Sequence, residues 1–309
     1  MDADKVDTSP LEEIEAYAVD IAREAGQILL EHFRKPLEVQ FKGKHNRDPV
    51  TIADGRSEEY LKKAIKQKFP RHSILSEEGG VHYESDSPFV WVLDPLDGTS
   101  NFMNGLPLFA VSVGVLWQGQ PAVGSIYVPV SHRANPGVYH ARQGNGAYLD
   151  GEKIEAARTT SGRPLSEIPP RFTGGLRLSG QSRKEPHEAR NLGSIAVELA
   201  LTACGVFQYA LFGRPKIWDV AAGVMIVKEA GGLAFARPKR GNDWLPLERF
   251  QPAQKNDSKA LDNLRDWSAP LVVGASDVAR QVVKDIRGFH HPLSRFSALL
   301  WPPDKKNRG

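Results

Sequence analysis

The sequence predicts an α/β protein in two halves: helices on a largely antiparallel sheet, then helices with a mixed sheet. Three observations point there. Two amphipathic helical stretches open the chain. From about residue 72 the apolar pattern breaks into short β-rich runs. Beyond about residue 190, helix-like and strand-like stretches alternate.

The first helix starts at Ser9-Pro10-Leu11-Glu12, which reads as a capping box with proline at the first helical position. Leu11, Ile14, Ala18, Ile21, Ala25, Ile28 and Leu29 then recur at helical spacing, and Pro36 stops the run. "LEVQFK" alternates like a strand. Residues 54–69 form a second amphipathic helix, with Leu61, Ala64, Ile65 and Phe69 inward and Asp54 as a candidate N-cap. "SILSEE", "FVWVLD", "FAVSVGVLW", "AVGSIYVPV", "GVYHAR" and "GAYLDG" follow as strands separated by Gly, Pro and Asn. Short connections between them imply antiparallel neighbours.

A boundary near residue 155 separates a first half, 1–154, from a second, 155–288. Residues 155–190, rich in Arg, Ser, Gly and Pro, read as loop with one short strand at most. "LGSIAVELALTACG" is a helix, "VFQYALF" a strand, and "WDVAAGVMIVKEAGG" a helix closed by Gly231-Gly232. "LAFA" and "PLVVGAS" are strands, and Ser276 caps a last helix, "DVARQVVKDIRG". The tail, 289–309, is left irregular.

Charge and composition exclude several roles. Forty basic and 37 acidic residues are intermixed, for a net charge of +3, which argues against a nucleic-acid or membrane-surface partner. The runs "RPKR" and "KKNR" are too short to make a basic face. No stretch approaches the roughly 18 apolar residues of a membrane-spanning helix, and no signal peptide is visible. The single cysteine, Cys204, lies in an apolar stretch and reads as a buried thiol. A cytoplasmic protein is the expectation.

The chemistry concentrates in "WVLDPLDGTSNF", residues 91–102. The apolar run reads as a buried strand that ends at Asp94, with Asp97 three positions on. Two such carboxylates repel unless protonated or neutralised by a cation. Oxygen-only ligands select hard ions such as Mg²⁺, Mn²⁺ or Ca²⁺. Gly98 lets the backbone approach a ligand, and "GTSNF" can start a helix whose free N–H groups seat a phosphate. The Thr99 hydroxyl could hold an attacking water. For D-P-x-D-G alone, a surface turn is the competing reading. Glu77-Glu78 end another short apolar strand, and Asp48 and Asp54 bracket "PVTIA". Asp219 precedes an apolar helix, either as an ordinary N-cap or as a site residue. The small Ala221, Ala222 and Gly223 would let another element approach that helix, and Trp218 would shield one side.

These segments resemble the inositol monophosphatase family of Mg²⁺-dependent, lithium-sensitive phosphatases. "WVLDPLDGTSNF" is similar to the first signature of the family at every fixed position, and "WDVAAG" followed by "EAGG" to its second. "DPVTIAD" and "SEEGG" resemble the segments that precede the first signature. The likeness runs from about residue 11 to 287. It implies a layered α-β-α-β-α sandwich, a phosphomonoesterase acting through metal-activated water, two to three Mg²⁺ ions and a homodimer. It implies that Glu77 and Asp94, with the Leu96 carbonyl, hold one ion, and that Asp94, Asp97 and Asp219 hold a second. By the same resemblance Asp48 supports a third ion and pairs with Thr99 to activate water, with Glu77 in the same catalytic group. The N–H groups of Gly98 and Thr99 bind phosphate, and Asp219 borders the substrate.

The pattern departs at "QYALFGRPKIWD". The family carries a glutamate there against a sugar hydroxyl, where this chain has Ala210, Leu211 and Phe212. The substrate class implied is a small phosphate ester, an inositol phosphate or related sugar phosphate. A 3′-phosphoadenosine 5′-phosphate or fructose-1,6-bisphosphate phosphatase, or a catalytically weak regulatory binding protein, is the alternative. Arg214 and Lys216 are candidates for meeting a second phosphate.

Overall fold

The computed structural model describes residues 9–35, 39–42, 48–84, 88–157, 163–169, 176–184, 187–237, 243–251 and 258–288. The tail expected to be irregular, 289–309, lies outside the described residues.

Helices α1 (Ser9–His32) and α2 (Ile52–Lys68) follow the predicted amphipathic stretches. Between them, β1 (Val39–Lys42) and β2 (Asp48–Thr51) pair antiparallel. Asp54 is not the N-cap of α2. Thr51 holds that position, and Asp54 sits three residues on, completing a capping box in which the Thr51 N–H donates to Asp54 Oδ2 at 2.8 Å.

The next strands are β3 (Ser73–Ser76), β4 (Gly80–His82), β5 (Phe89–Asp97), β6 (Ala110–Trp117), β7 (Gln120–Val128), β8 (Gly137–Arg142), β9 (Ala147–Leu149) and β10 (Glu152–Ile154), with the short α3 (Thr99–Met103) after β5. They form one eight-stranded sheet in the order β10-β9-β8-β7-β6-β5-β3-β4. Every neighbouring pair is antiparallel except β3 with β5.

The second half holds β11 (Leu165–Glu167), β12 (Leu176–Leu178), α4 (Gly180–Lys184), β13 (Glu188–Arg190), α5 (Ile195–Ala203), β14 (Phe207–Phe212), α6 (Ile217–Glu229), β15 (Gly232–Ala236), β16 (Leu245–Pro246), α7 (Ser258–Arg265), β17 (Leu271–Ala275), α8 (Ser276–Asp285) and β18 (Ile286–Gly288). Its six-stranded sheet, β13-β11-β14-β17-β15-β16, is mixed: β11 runs parallel to β13 and β14, and the other pairs are antiparallel. The region expected to be loop with one strand thus contributes three strands and a helical turn. Each is three to five residues long, too short to show a period. Ser276 does not cap α8. Ala275 is the N-cap, and the Ser276 hydroxyl donates to the Gly231 carbonyl at 2.6 Å. Cys204 ends α5 and is half-buried rather than enclosed.

The layers are α1 and α2, the eight-stranded sheet, α5 and α6, the six-stranded sheet, and α8. Alternation along the strands fills two cores at once. Trp91, Leu93, Val111, Val113 and Val115 pack toward α1 and α2, while Val90, Val92, Ala110 and Leu116 join α5 and α6. This explains the unbroken apolar "FVWVL": a sheet covered on both faces has no solvent side to mark with polar residues.

The small residues of α6 have the expected use. A Cβ on Gly124 of β7 would sit 2.3 Å from the Ala222 carbonyl, and one on Gly114 of β6 would sit 2.8 Å from the Ala221 Cβ. We expect Gly124→Ala to lower stability by about 1–3 kcal/mol, since helix and sheet must separate to admit the methyl. Urea unfolding checks this: the midpoint drops while the slope stays unchanged.

Candidate active site

Strand β5 does not end at Asp94; it continues through Asp97, with a register shift between them against β6. Asp94 pairs with Ser112 and Asp97 with Ala110, so the strand carries one extra residue, at the segment where Pro95 has no N–H to give the ladder. In a regular strand, residues three apart face opposite sides. The bulge cancels that parity, and both aspartates line one cavity of about 430 Å³.

Glu77, one residue beyond β3, and Asp219, in the first turn of α6, line the same cavity, as do Leu96, Gly98 and Thr99. Gly98 precedes α3 with φ +90°, and a Cβ there would come within 3.0 Å of the Leu108 carbonyl and of the Ser194 side chain. Only glycine fits that position. The Thr99 hydroxyl donates to the Leu96 carbonyl at 3.1 Å and lies 3.5 Å from Asp54 Oδ1. Asp48 is in β2; its side chain lies outside the described residues.

Each aspartate has one oxygen held by the protein. Asp94 Oδ1 accepts from the Leu96 N–H at 3.0 Å, and Asp219 Oδ2 from the Lys216 N–H at 2.7 Å. Asp219 is therefore the third residue of α6 rather than its N-cap. Asp97 Oδ2 accepts from the Ser194 hydroxyl and, at 2.6 Å, from the Ala196 N–H at the start of α5. The second oxygens of Asp94 and Asp219 make no hydrogen bond among the described residues, and Asp97 also accepts from the Ile195 N–H.

Electrostatics shows what this arrangement lacks. Burial pushes the Asp94 carboxyl well above the carboxylate range, and the charges of Glu77, Asp97 and Asp219 push it further. Burial raises Asp97 to about 6, against the hydrogen bonds from Ser194 and the start of α5. Asp219 rises to about 8 through burial and the charge of Asp97. A cation among them would relieve both the desolvation and the repulsion. Among the described residues no three Asp, Glu, His or Cys side chains already close into a metal-binding group. The four acids thus share a cavity without meeting at one point. Their donor set is all oxygen, which fits a hard divalent ion.

Four polar lining residues escaped sequence reasoning: Glu167 on β11, Asn191, Ser194 and, on α5, Glu198. The signals were faint but present. Ser194 is an N-cap, accepting from the Val197 N–H at 3.3 Å, and Glu198 is a lone carboxylate inside the apolar "SIAVELAL". Burial raises Glu167 to about 7; burial and the charge of Glu167 raise Glu198 to about 8. Arg214 lines the cavity and is exposed, whereas Lys216 lies 5.9 Å from the Trp218 ring. Trp218 packs against the core and is not among the lining residues. A second cavity, about 380 Å³, lies among α4, β14 and α8; Asp277 is its one lining carboxylate and it contains none of the predicted residues. Among the described residues no helix is long and apolar enough to cross a membrane.

The model of the inositol monophosphatase family matches residues 10–265. The chain is 37% identical over 270 residues to Phosphatase IMPL1, chloroplastic, of Arabidopsis thaliana, covering 79% of this chain and 72% of that protein. It is 35% identical over 215 residues to the fructose-1,6-bisphosphatase/inositol-1-monophosphatase of Aquifex aeolicus, 67% of this chain and 80% of that one. Nus factor SuhB of Escherichia coli is 35% identical over 227 residues, 70% and 82% of the two chains. The solved IMPase of Thermotoga maritima superposes with a TM-score of 0.66 at 26% identity, over 88% of this chain and 96% of that one. The chain belongs to the inositol monophosphatase family.

Proposed function

We propose that the protein is a Mg²⁺-dependent phosphomonoesterase that hydrolyses a small phosphate ester, an inositol phosphate or related sugar phosphate. The observation that carries this is the pinning of Asp94, Asp97 and Asp219. Each is tied to a protein donor, and all three line one cavity with Gly98 and Thr99.

Glu77, Asp94, Asp97, Asp219 and the Leu96 carbonyl would hold the ions, two to three in number. When bound, such ions supply polarisation of the phosphoryl group and acidify water. The protein's own groups do the rest. Hydrogen bonds from Leu96, Ala196 and Lys216 orient the carboxylates before substrate arrives. The backbone at Gly98 and Thr99 seats the phosphate, and no side chain at Gly98 obstructs it. Thr99 orients the attacking water, with Asp54, 3.5 Å away, as its carboxylate partner among the described residues, and Asp48 as the proposed support of a third ion. Asp219 borders both phosphate and leaving group.

The test is release of phosphate from a panel of esters, with Mg²⁺, with chelator, and with lithium as inhibitor. Mg²⁺-dependent release is expected. Release unaffected by chelation would refute the metal assignment. The absence of release from every ester would favour the regulatory alternative, for which the relative named as a Nus factor gives the motive. We further propose a homodimer in the cytoplasm; the resemblance suggests the dimer, and a single cysteine suits a reducing compartment. Sedimentation measures the former.

A further inference from the structure

Two carboxylates on the cavity wall have no part in the scheme above. Glu167 and Glu198 are each 1% exposed and both line the cavity. Glu167 Oε1 accepts from Asn191 Nδ2 at 3.0 Å, and its Oε2 from the Leu211 N–H at 3.3 Å. Glu198 Oε1 accepts from the N–H groups of Leu192 at 2.6 Å and Gly193 at 3.2 Å. Its other oxygen, Oε2, makes no hydrogen bond among the described residues.

The cavity therefore carries two chemistries. One part, at Gly98 and Thr99, suits an anion next to cations. The other presents acceptors from Glu167 and Glu198, with Leu211 and Phe212 adding apolar surface. What satisfies acceptors and apolar surface together is a body with O–H donors on a carbon frame.

We propose that Glu167 and Glu198 are specificity-determining residues that accept hydrogen bonds from the hydroxyl groups of the leaving group, and so select a polyhydroxylated monophosphate. This rests on the phosphatase reading. Asn191, which donates to Glu167, is the positioning residue for that carboxyl group.

The experiment compares two esters under saturating Mg²⁺. A cyclitol monophosphate carries hydroxyls on its leaving group; p-nitrophenyl phosphate carries none. For Glu167→Gln and Glu198→Gln, kcat/KM should fall about tenfold more with the cyclitol ester than with the nitrophenyl ester, the scale of one lost hydrogen bond. Asn191→Ala, at an exposed position, should shift the same ratio in the same direction. Thermal melts show that each variant is folded. Equal losses on both esters, or no loss on either, would overturn the assignment and leave the phosphatase reading intact. Failure of the unsubstituted protein to hydrolyse either ester with Mg²⁺ would overturn both.

Discussion

Asp94→Asn should lower kcat/KM for any hydrolysed phosphate ester by about 10³-fold or more while the protein stays folded. Asp94 is 2% exposed and faces three other acids, so its charge is unfavourable without a cation beside it. Asparagine keeps the shape and an oxygen for the Leu96 N–H but removes the repulsion. The metal-free variant is therefore expected to melt no lower than the metal-free parent. The rise in Tm on adding Mg²⁺ should shrink, because binding to the folded state is what produces it. Steady-state kinetics and paired melts with and without chelator test both halves. A variant with near-parental turnover would remove Asp94 from the catalytic centre.

The second large effect is on stability against pH. Asp219 and Glu198 have folded pKa values near 8 and Glu167 near 7, all above their unfolded values. The folded state then holds protons that the unfolded state has released. Their contribution is fully present below the unfolded pKa, near 4, and is lost as pH rises through 7 to 8. His72 acts in the opposite sense at the acid end. Stacked against Phe69 and Phe89, it is pushed down to about 4 by burial, so its contribution is lost as pH falls from 6.5. Between pH 6.5 and 8 only the carboxylates count. With chelator present, Tm should fall across that window by about 5–10 °C, from a loss on the order of 3 kcal/mol. Millimolar Mg²⁺ at pH 8 should restore most of it. A flat profile with chelator would mean that these acids are not held above their ordinary range.

Much of the fold was legible because its elements are long enough to show a period. α1, α2, β5, β6, β7 and α6 announce themselves through apolar spacing. The pieces between residues 163 and 190 do not, since strands of three residues carry no period and depend on partners distant in sequence, β11 on β14 and β12 on β18. α7, eight residues long, was missed for the same reason of length. In the site, the acids of the two signature segments were legible as residue types, but their geometry was not. The bulge that turns Asp94 and Asp97 to one side is a property of β5 against β6.

By itself, then, the chain determined which carboxylates are available, which glycine must stay bare at residue 98, and which helix must be slim enough to lie against a sheet. These are local matters of charge, φ and side-chain volume. The tertiary structure decided the rest. Asp97 is held by the start of a helix 97 residues away, and Glu167 and Glu198 reach the same cavity from separate elements. Hydrogen bonds and burial act across space rather than along the chain, so no local pattern could have announced them.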